Sequence, residues 1–587
     1  MSSTPEIVTI AVEEKPLHKN EQLKADSHWL RGNILRDIAD ATTGAVTEDS
    51  TQLMKFHGVY QQDDRDVRNQ RRKEGKEKAF IFMARVRTPG GIVSPAQWLE
   101  LDQLADTHGN GTLKLTTRQS FQFHGIVKGN LRALVKQINV AAHLNTRGAC
   151  GDINRGVMCN PNPDQSALHG QVWPIMKAVS DHLLPRTRAY HELWVADELV
   201  DGGEPEDEPI YGRTYLPRKF KIVFAVPPSN DVDVYAHDLG FVAIADQSGQ
   251  KLLGFNVLVG GGLGMSHNQL DTFPRLADVL GFCTPDQVVA IAEKVVTIQR
   301  DFGDRTERKH ARFKYTIDDR GLLWFREELE RRLGYRLPAS HRFEFTHTGD
   351  RYGWTQAENG NAHYTLFIQS GRVKDTADYK LKEGLREIAK IHQGDLRLSA
   401  NQNLIIANVS PAERPRIEEL FRKYKFDTAN HATGLKLHSM SCVALPTCGL
   451  ALAESERLLP DLVRQLEAEI EAAGLHNDAI SLRITGCPNG CGRPSLAEIG
   501  LVGRAPGKYN LYLGAAFNGS RFNVLYKASV ATAEIVPLLG PIFRRYATER
   551  TPGESFGDFV IRAGYVTPTY TPHDFHEQKN VAKGEQI

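Results

Sequence analysis

From Gly111 the chain reads GTLKLTTRQSFQF, and from Gly394 it reads GDLRLSANQNLII. Each begins with glycine and alternates apolar positions, Leu113 and Leu115 in one and Leu396 and Leu398 in the other. Each then turns polar at Thr116 or Ser399, places a glutamine three residues on (Gln119, Gln402), and returns to an apolar run. A period of two predicts a strand running into a turn and out again. A weaker echo pairs GFNVLVGGG, from Gly254, with KYNLYLGAA, from Lys508. Two echoes spaced by roughly 250–280 residues predict a duplicated module and not a solenoid, whose repeats are about 20–50 residues long.

Helical periodicity predicts four amphipathic helices, in SPAQWLELDQLADTHG, LRALVKQINVAAHL, PDQVVAIAEKVVTIQRDFG and LLPDLVRQLEAEIEAAG. The first opens on Ser94 followed by Pro95, a start signal for a helix. Strand-like runs alternate with them, among them KFKIVFAVPP and AHYTLFIQSGRV. The class is therefore α/β or α+β. Residues 1–77 carry no echo and close on the charge run RDVRNQRRKEGKEK, read as a solvated helix or linker or as a docking arm for a partner. The end, HDFHEQKNVAKGEQI, reads as a polar tail.

Composition narrows the class. The 587 residues exceed one ordinary core and suggest about three or four domains. A hydrophobic fraction of 41% with 24% charged residues is that of a soluble globular chain. The net charge of +1 gives no global argument for nucleic acid. No apolar stretch approaches the ~18 residues of a membrane span. The N-terminus lacks the basic and apolar regions of a secretory signal. A cytoplasmic location is the expectation.

Seven cysteines are too few and too scattered for a disulfide scaffold. Four of them, Cys442, Cys448, Cys487 and Cys491, fall within fifty residues as C-x5-C and C-x3-C. The second pair lies in TGCPNGCGRP, where proline and glycine disfavour an ordinary helix and favour a loop folded around something. Four thiolates suit zinc or an iron–sulfur cluster, and buried structural cysteines are a third possibility. Cations recur beside strand signals and glycines: Arg85 and Arg87, Arg118, Arg155, Arg218 with Lys219 and Lys221, and Arg312. Singly each is an ordinary surface charge. Together they suggest a pocket for an oxyanion or a ligand with many carboxylates, because arginine forks bind carboxylates in pairs of bonds. The run GGGLG at 260–264 is read as a tight strand–turn junction.

TTRQSFQFHG, INRGVMCNPNP, LPRKFK, GFNVLVGGGLG, CVALPTC and TGCPNGCGRP occur in this order. Together they resemble the sulfite and nitrite reductases that carry sirohaem and a 4Fe–4S cluster, and the similarity runs from about residue 25 to about 570. KFHGVYQQDDRD at 55–66 is similar to the start of the NADPH-dependent assimilatory sulfite branch. The resemblance implies three α/β domains in two pseudo-twofold halves. Their boundaries are a flanking arm at 1–77, paired ferredoxin-like halves at 78–147 and 346–425, an α/β domain at 148–345, a cluster and sirohaem domain at 426–573, and a tail at 574–587. It implies that Cys442, Cys448, Cys487 and Cys491 hold the cluster, with Cys491 bridging it to the sirohaem iron. It implies that Arg85, Arg155, Lys219 and Lys221 surround the substrate. Arg118, Gln122, His124, Arg218, Arg312, Gln402 and Asn489 are then expected near the macrocycle.

The chemistry agrees. Taking sulfite to sulfide needs six electrons, which no side chain stores. A macrocycle with eight carboxylates needs a cationic pocket. The chain lacks a dinucleotide fingerprint with its acidic partner. NADPH oxidation is therefore expected on a separate flavoprotein carrying FAD and FMN, for which residues 1–77 are the candidate contact. Nitrite reduction, a ferredoxin donor, and a zinc-stabilised binding protein without redox chemistry are the competing readings.

Overall fold

The computed structural model of the chain describes residues 15–187, 208–569 and 571–576. The predicted helices form where their end signals lie. Ser94 caps Pro95–His108 through a reciprocal bond pair with Gln97, and Trp98, Leu101, Leu104 and Ala105 point into the core. Thr284 and Gln287 form the same box ahead of Val288–Phe302.

The strongest echo becomes two matching sheets. The first orders its strands as Val59–Asp63, Phe80–Val86, Phe121–Ile126, Leu113–Leu115 and Arg372–Val373. The second runs Gly353–Gln356, Ala362–Leu366, Leu404–Val409, Asp395–Leu398 and Ile92–Val93. Each sheet is finished by a two-residue strand from the other half. Arg372 lies opposite Lys114, and Ile92 lies opposite Arg397. AHYTLFIQSGRV, expected as one strand, is therefore two strands in different sheets. The break falls at Gln369–Gly371, where Gly371 has φ +65° and an added Cβ would stand 2.3 Å from the Leu115 carbonyl oxygen. Gly91 is its twin, with φ +77° and the Leu398 carbonyl oxygen 2.4 Å from the added Cβ. Only glycine tolerates both the backbone and the approach.

The weaker echo becomes a second matched pair. Ile222–Ala225, Leu239–Ala245, Leu252–Val259 and Asp278–Cys283 form a four-stranded sheet, parallel once and antiparallel twice. Leu482–Thr485, Ile499–Ala505, Lys508–Leu513 and Val524–Ala531 repeat that pattern, with Ser439–Ser441 added as a parallel strand. At the ends of the echoed strands Gly260 and Gly514 both have positive φ, +83° and +93°. Between the halves Asp233 and Arg493 hold equivalent left-handed positions before short 3-10 turns and pair with one another at 2.5 Å. Arg483 binds the same carboxylate at 2.6 Å.

Two sequence expectations need correction. Residues 15–77, the described part of the expected arm at 1–77, are not a flanking arm. The described part, from Lys15, enters the body: Leu30, Ile34, Leu53, Phe56 and Val59 join the main core, Val59–Asp63 pairs with Phe80–Val86, and the Lys24 ammonium donates to the Leu216 carbonyl at 2.8 Å. These scattered apolar positions were hidden behind the conspicuous charge run. The polar tail begins later than expected, because Phe575 is buried and stacks on Tyr512; residues 577–587 and 1–14 lie outside the described residues. The last domain has its own core, running from Leu435 to Val566. Among the described residues, no helix is long and apolar enough to cross a membrane.

Candidate active site

Cys442 follows Ser439–Ser441, and Cys487 follows Leu482–Thr485, the neighbouring parallel strand. Both thiols thus leave the carboxyl ends of parallel strands, where α/β sheets place their ligands. The Gly486 N–H and the Thr485 hydroxyl donate to the Cys442 sulfur at 3.3 and 3.4 Å. Asn489 Nδ2 donates to the Cys487 sulfur at 3.6 Å. Gly490, at φ +65°, turns the loop back so that Cys491 follows. Gln402, at φ +71°, clamps the residue ahead of Cys442: it donates to the Ser441 carbonyl at 2.9 Å and accepts from the Ser441 N–H at 3.3 Å. Arg493 ties this loop to the first half through the Thr117 carbonyl at 2.9 Å, and the Thr117 hydroxyl donates to the Cys491 carbonyl at 3.1 Å.

All four cysteines line one cavity of about 520 Å³. Burial and the charge of Cys491 push the Cys448 thiol up to about 11 and the Cys487 thiol to about 12. Four thiolates crowded together need a cationic centre to remain ionised.

The rest of the cavity wall is cationic. Lys24, Lys55, Arg85, Lys114, Arg155, Arg218, Lys219 and Arg308 line the cavity, against Asp152 as the one carboxylate among the described residues. Arg85, Gln122 and Lys114 sit side by side across three adjacent strands. With its amide turned to accept, Gln122 takes bonds from Arg85 Nε at 3.2 Å and Nη2 at 2.5 Å. His124 Nε2 lies 3.3 Å from the same side chain, and its Nδ1 has no partner among the described residues. Arg155 Nη2 reaches the Tyr60 hydroxyl at 3.4 Å, while its Nε is unpartnered among the described residues. Asp152 takes Arg308 at 2.8 Å and Arg218 at 3.7 Å. Burial works against the Asp152 charge, but Arg308, Lys24 and Arg218 outweigh it and hold the carboxyl below its usual range. Lys219 is half-buried; burial and the guanidiniums of Arg155, Arg312 and Arg218 push its ammonium well below the ordinary lysine value. Burial likewise lowers Lys55 to about 8.

Of the residues predicted from sequence, Arg85, Gln122, His124, Arg155, Arg218, Lys219, Gln402, Asn489 and the four cysteines are on the cavity wall. Arg118, Lys221 and Arg312 are not. Arg312 pairs with Asp238 at 3.2 Å, Arg118 donates to the Gly156 carbonyl at 2.6 Å, and Lys221 feels Lys219, Arg118, Arg312 and Asp238. The glycine run seats this group: an added Cβ on Gly262 would meet the Arg312 guanidinium at 3.0 Å. Sequence reading missed Lys24, Lys55, Tyr60, Lys114 and Arg308. Lys114 had a visible signal, being the charged position between two buried leucines of the echoed GTLKL.

A buried to half-buried wall with eight cations and, among the described residues, one carboxylate and unpartnered nitrogens on Arg155 and His124 fits a ligand rich in carboxylates, and the four thiols fit a cluster. The residues present thus suit sirohaem and a 4Fe–4S centre.

Comparison with known proteins agrees. The family described as Nitrite and sulphite reductase 4Fe-4S domain matches residues 177–337. The Nitrite/Sulfite reductase ferredoxin-like half domain matches residues 73–141 and 355–424. The first match ends before Cys442, so it covers none of the four thiols that line the cavity. A protein of Geobacillus kaustophilus, named sulfite reductase [NADPH] hemoprotein beta-component, is 54% identical across 97% of this chain and 100% of its own length. Proteins of the same name from Anoxybacillus flavithermus and Staphylococcus saprophyticus are 55% and 52% identical, each across 95% of this chain and 97% and 98% of their own. The solved structure of the Mycobacterium tuberculosis NirA protein shares the fold, with a TM-score of 0.75 at 24% identity, covering 94% of this chain and 97% of that one. With a duplicated ferredoxin-like core, four thiols on one cavity and full-length relatives above 50% identity, the chain belongs to the nitrite and sulfite reductase family, in the branch of the sulfite reductase [NADPH] hemoprotein beta-components.

Proposed function

We propose that this chain reduces sulfite to sulfide and receives its electrons from a separate flavoprotein that oxidises NADPH through FAD and FMN. The observation that carries the reading is the single cavity that joins four thiols to a wall of eight cations. Sulfite takes up six electrons and eight protons to give hydrogen sulfide and three waters, and three NADPH supply the electrons. A sirohaem joined through a thiolate to a 4Fe–4S cluster would supply electron storage and the site for the sulfur atom. Cys442, Cys448, Cys487 and Cys491 would hold the cluster, with Cys491 as the shared ligand. Arg218 and Arg308, neutralised in part by Asp152, together with Gln122, His124, Gln402 and Asn489, would seat the macrocycle. Arg118 and Arg312 would add positive charge from beside the wall.

Arg85, Arg155 and Lys219 would neutralise the oxyanion substrate. The Lys219 Nζ–H becomes a stronger acid in this setting, so it is suited to give a proton to a departing oxygen. Lys221, two residues along, reinforces that charge. The test is the purified protein: it should show a haem-type visible spectrum, contain acid-labile sulfide, and turn over sulfite faster than nitrite with reduced methyl viologen. A colourless protein would overturn the reading, and faster turnover of nitrite would overturn the substrate.

A further inference from the structure

Lys114 is buried on the cavity wall, and the function proposed above gives it no separate part. Its ammonium donates to the Glu456 carboxylate at 2.8 Å and to the Ser370 carbonyl. Arg372, its cross-strand neighbour, binds the same carboxylate through Nε at 2.6 Å and Nη2 at 3.1 Å. Two cations thus share one carboxylate, which leaves one positive charge in excess. None of the three side chains is more than 15% exposed, so water screens that excess poorly. Burial works against the Glu456 charge, but Lys114 and Arg372 outweigh it and hold the carboxyl below its usual range.

Two contacts place this network beside a thiol. The Gln369–Gly371 turn, which receives the Lys114 ammonium, packs on strand Ser439–Ser441, directly ahead of Cys442. Ser455, next to Glu456, donates its hydroxyl to the Ile484 carbonyl at 2.9 Å, and the Cys442 N–H donates to that same oxygen at 3.3 Å. Burial pushes the Lys114 ammonium down and Arg372 adds to this, while the charges of Glu456 and Cys442 work against it.

The duplication supplies an internal comparison. Arg397 in GDLRL holds the place of Lys114 in GTLKL. Ile92 lies opposite Arg397, where Arg372 lies opposite Lys114. Arg397 pairs with two carboxylates, Asp164 at 2.7 Å and Asp395 at 2.9 Å. One cation on two carboxylates reverses the balance of two cations on one. A buried ion pair is weak evidence for stability, and a plain brace between sheet and loop would not need a surplus of either sign. The cationic surplus stands in the copy whose network adjoins Cys442.

We propose that Lys114, fixed by Glu456 and Arg372, is a positioning charge for electron uptake by the group that the four cysteines hold, favouring its reduced state as a desolvated cation beside Cys442. The inference deepens the function proposed above and rests on it. Each electron from the donor adds one negative charge among thiolates that already repel one another. A fixed ammonium in a poorly solvated wall offsets the added charge without having to reorganise. No bond or proton changes at Lys114 itself.

The test uses the holoenzyme and three variants. Lys114→Met keeps the stem and removes the charge, Lys114→Arg keeps the charge, and Glu456→Gln removes the carboxylate that offsets it. Iron and acid-labile sulfide are assayed first. The midpoint potential of the cluster is then read by a redox titration followed by electron paramagnetic resonance. Lys114→Met should shift the one-electron equilibrium toward the oxidised state by about tenfold or more, a fall of ~59 mV or more. Glu456→Gln should shift it the other way, and Lys114→Arg should stay near the wild type. Opposite signs from two partners in one ion pair mark a charge effect, which a brace would not produce. Unchanged potentials in Lys114→Met and Glu456→Gln would overturn the assignment, as would shifts of the same sign. Loss of iron in both would make the network structural and also overturn it; loss in one leaves the sign of the shift in the other decisive. A wild-type protein without a reducible cluster would instead sink the underlying function.

Discussion

Cys442 accepts from Gly486 and Thr485, so a serine there would keep the backbone contacts and lose the soft ligand. Cys442→Ser and Cys487→Ser should therefore fold and lose iron and acid-labile sulfide. Wild-type iron content in both would remove these cysteines from the site. Lys219 faces the cavity while Lys221 stands beside it. Lys219→Met should lower kcat/KM for sulfite by ~10²–10³, the usual cost of losing one such donor, and release partly reduced sulfur species. Lys221→Met should lose less. Steady-state kinetics at equal cofactor content decides, and unchanged kcat/KM in both would place the pair outside the reaction. A different residue governs pH dependence. Glu498 is fully buried, and burial, aided by Asp558, raises its carboxyl to about 7 despite bonds from Ser481 and Gly557. Between about pH 4.5 and 7 the folded chain keeps a proton that the unfolded chain gives up, so stability falls as pH rises through that window, by up to about 3 kcal/mol. Glu498→Gln should flatten this part of the profile in urea midpoints measured from about pH 5 to 8. An unchanged slope would clear Glu498 of the effect.

At the scale of elements, the predicted helices lie where their caps and periods placed them, because Ser94 with Gln97 and Thr284 with Gln287 are local signals. The glutamine turns of the echo were equally legible: Gln119 and Gln402 both adopt positive φ at equivalent places. What no local pattern held is the partner of each short strand. Ile368 and Val373 read as one alternating run, yet Gly371 between them hands the chain to the other half. The same limit explains the site. Cysteines and arginines declare their chemistry by spacing, whereas Lys55 and Tyr60 reach the cavity through tertiary packing alone. Gly371→Ala and Gly91→Ala should each destabilise by at least ~2 kcal/mol, since each adds a carbonyl clash to a left-handed backbone. Wild-type denaturation midpoints would show that the crossing loops can relax.

On the scale of the whole molecule, the N-terminal segment belongs to the cavity. Lys24, Lys55, Phe56 and Tyr60 are part of its wall, and Val59 begins the first sheet. Deleting residues 1–60 should abolish cofactor binding and turnover with every reductant, read by visible spectrum and methyl viologen assay. Retained methyl viologen turnover with loss of flavoprotein-driven turnover alone would restore the docking arm. The reciprocal edge strands bear on synthesis as well. Lys114 waits for Arg372, and Ile92 waits for Arg397. A ribosome must therefore deliver more than half of the chain before either ferredoxin-like sheet can close. Until then the open edge at Leu113–Leu115 is a free template for wrong pairing. Such a nascent chain stays exposed through much of its translation, which makes slow, chaperone-guarded synthesis the natural companion of this topology.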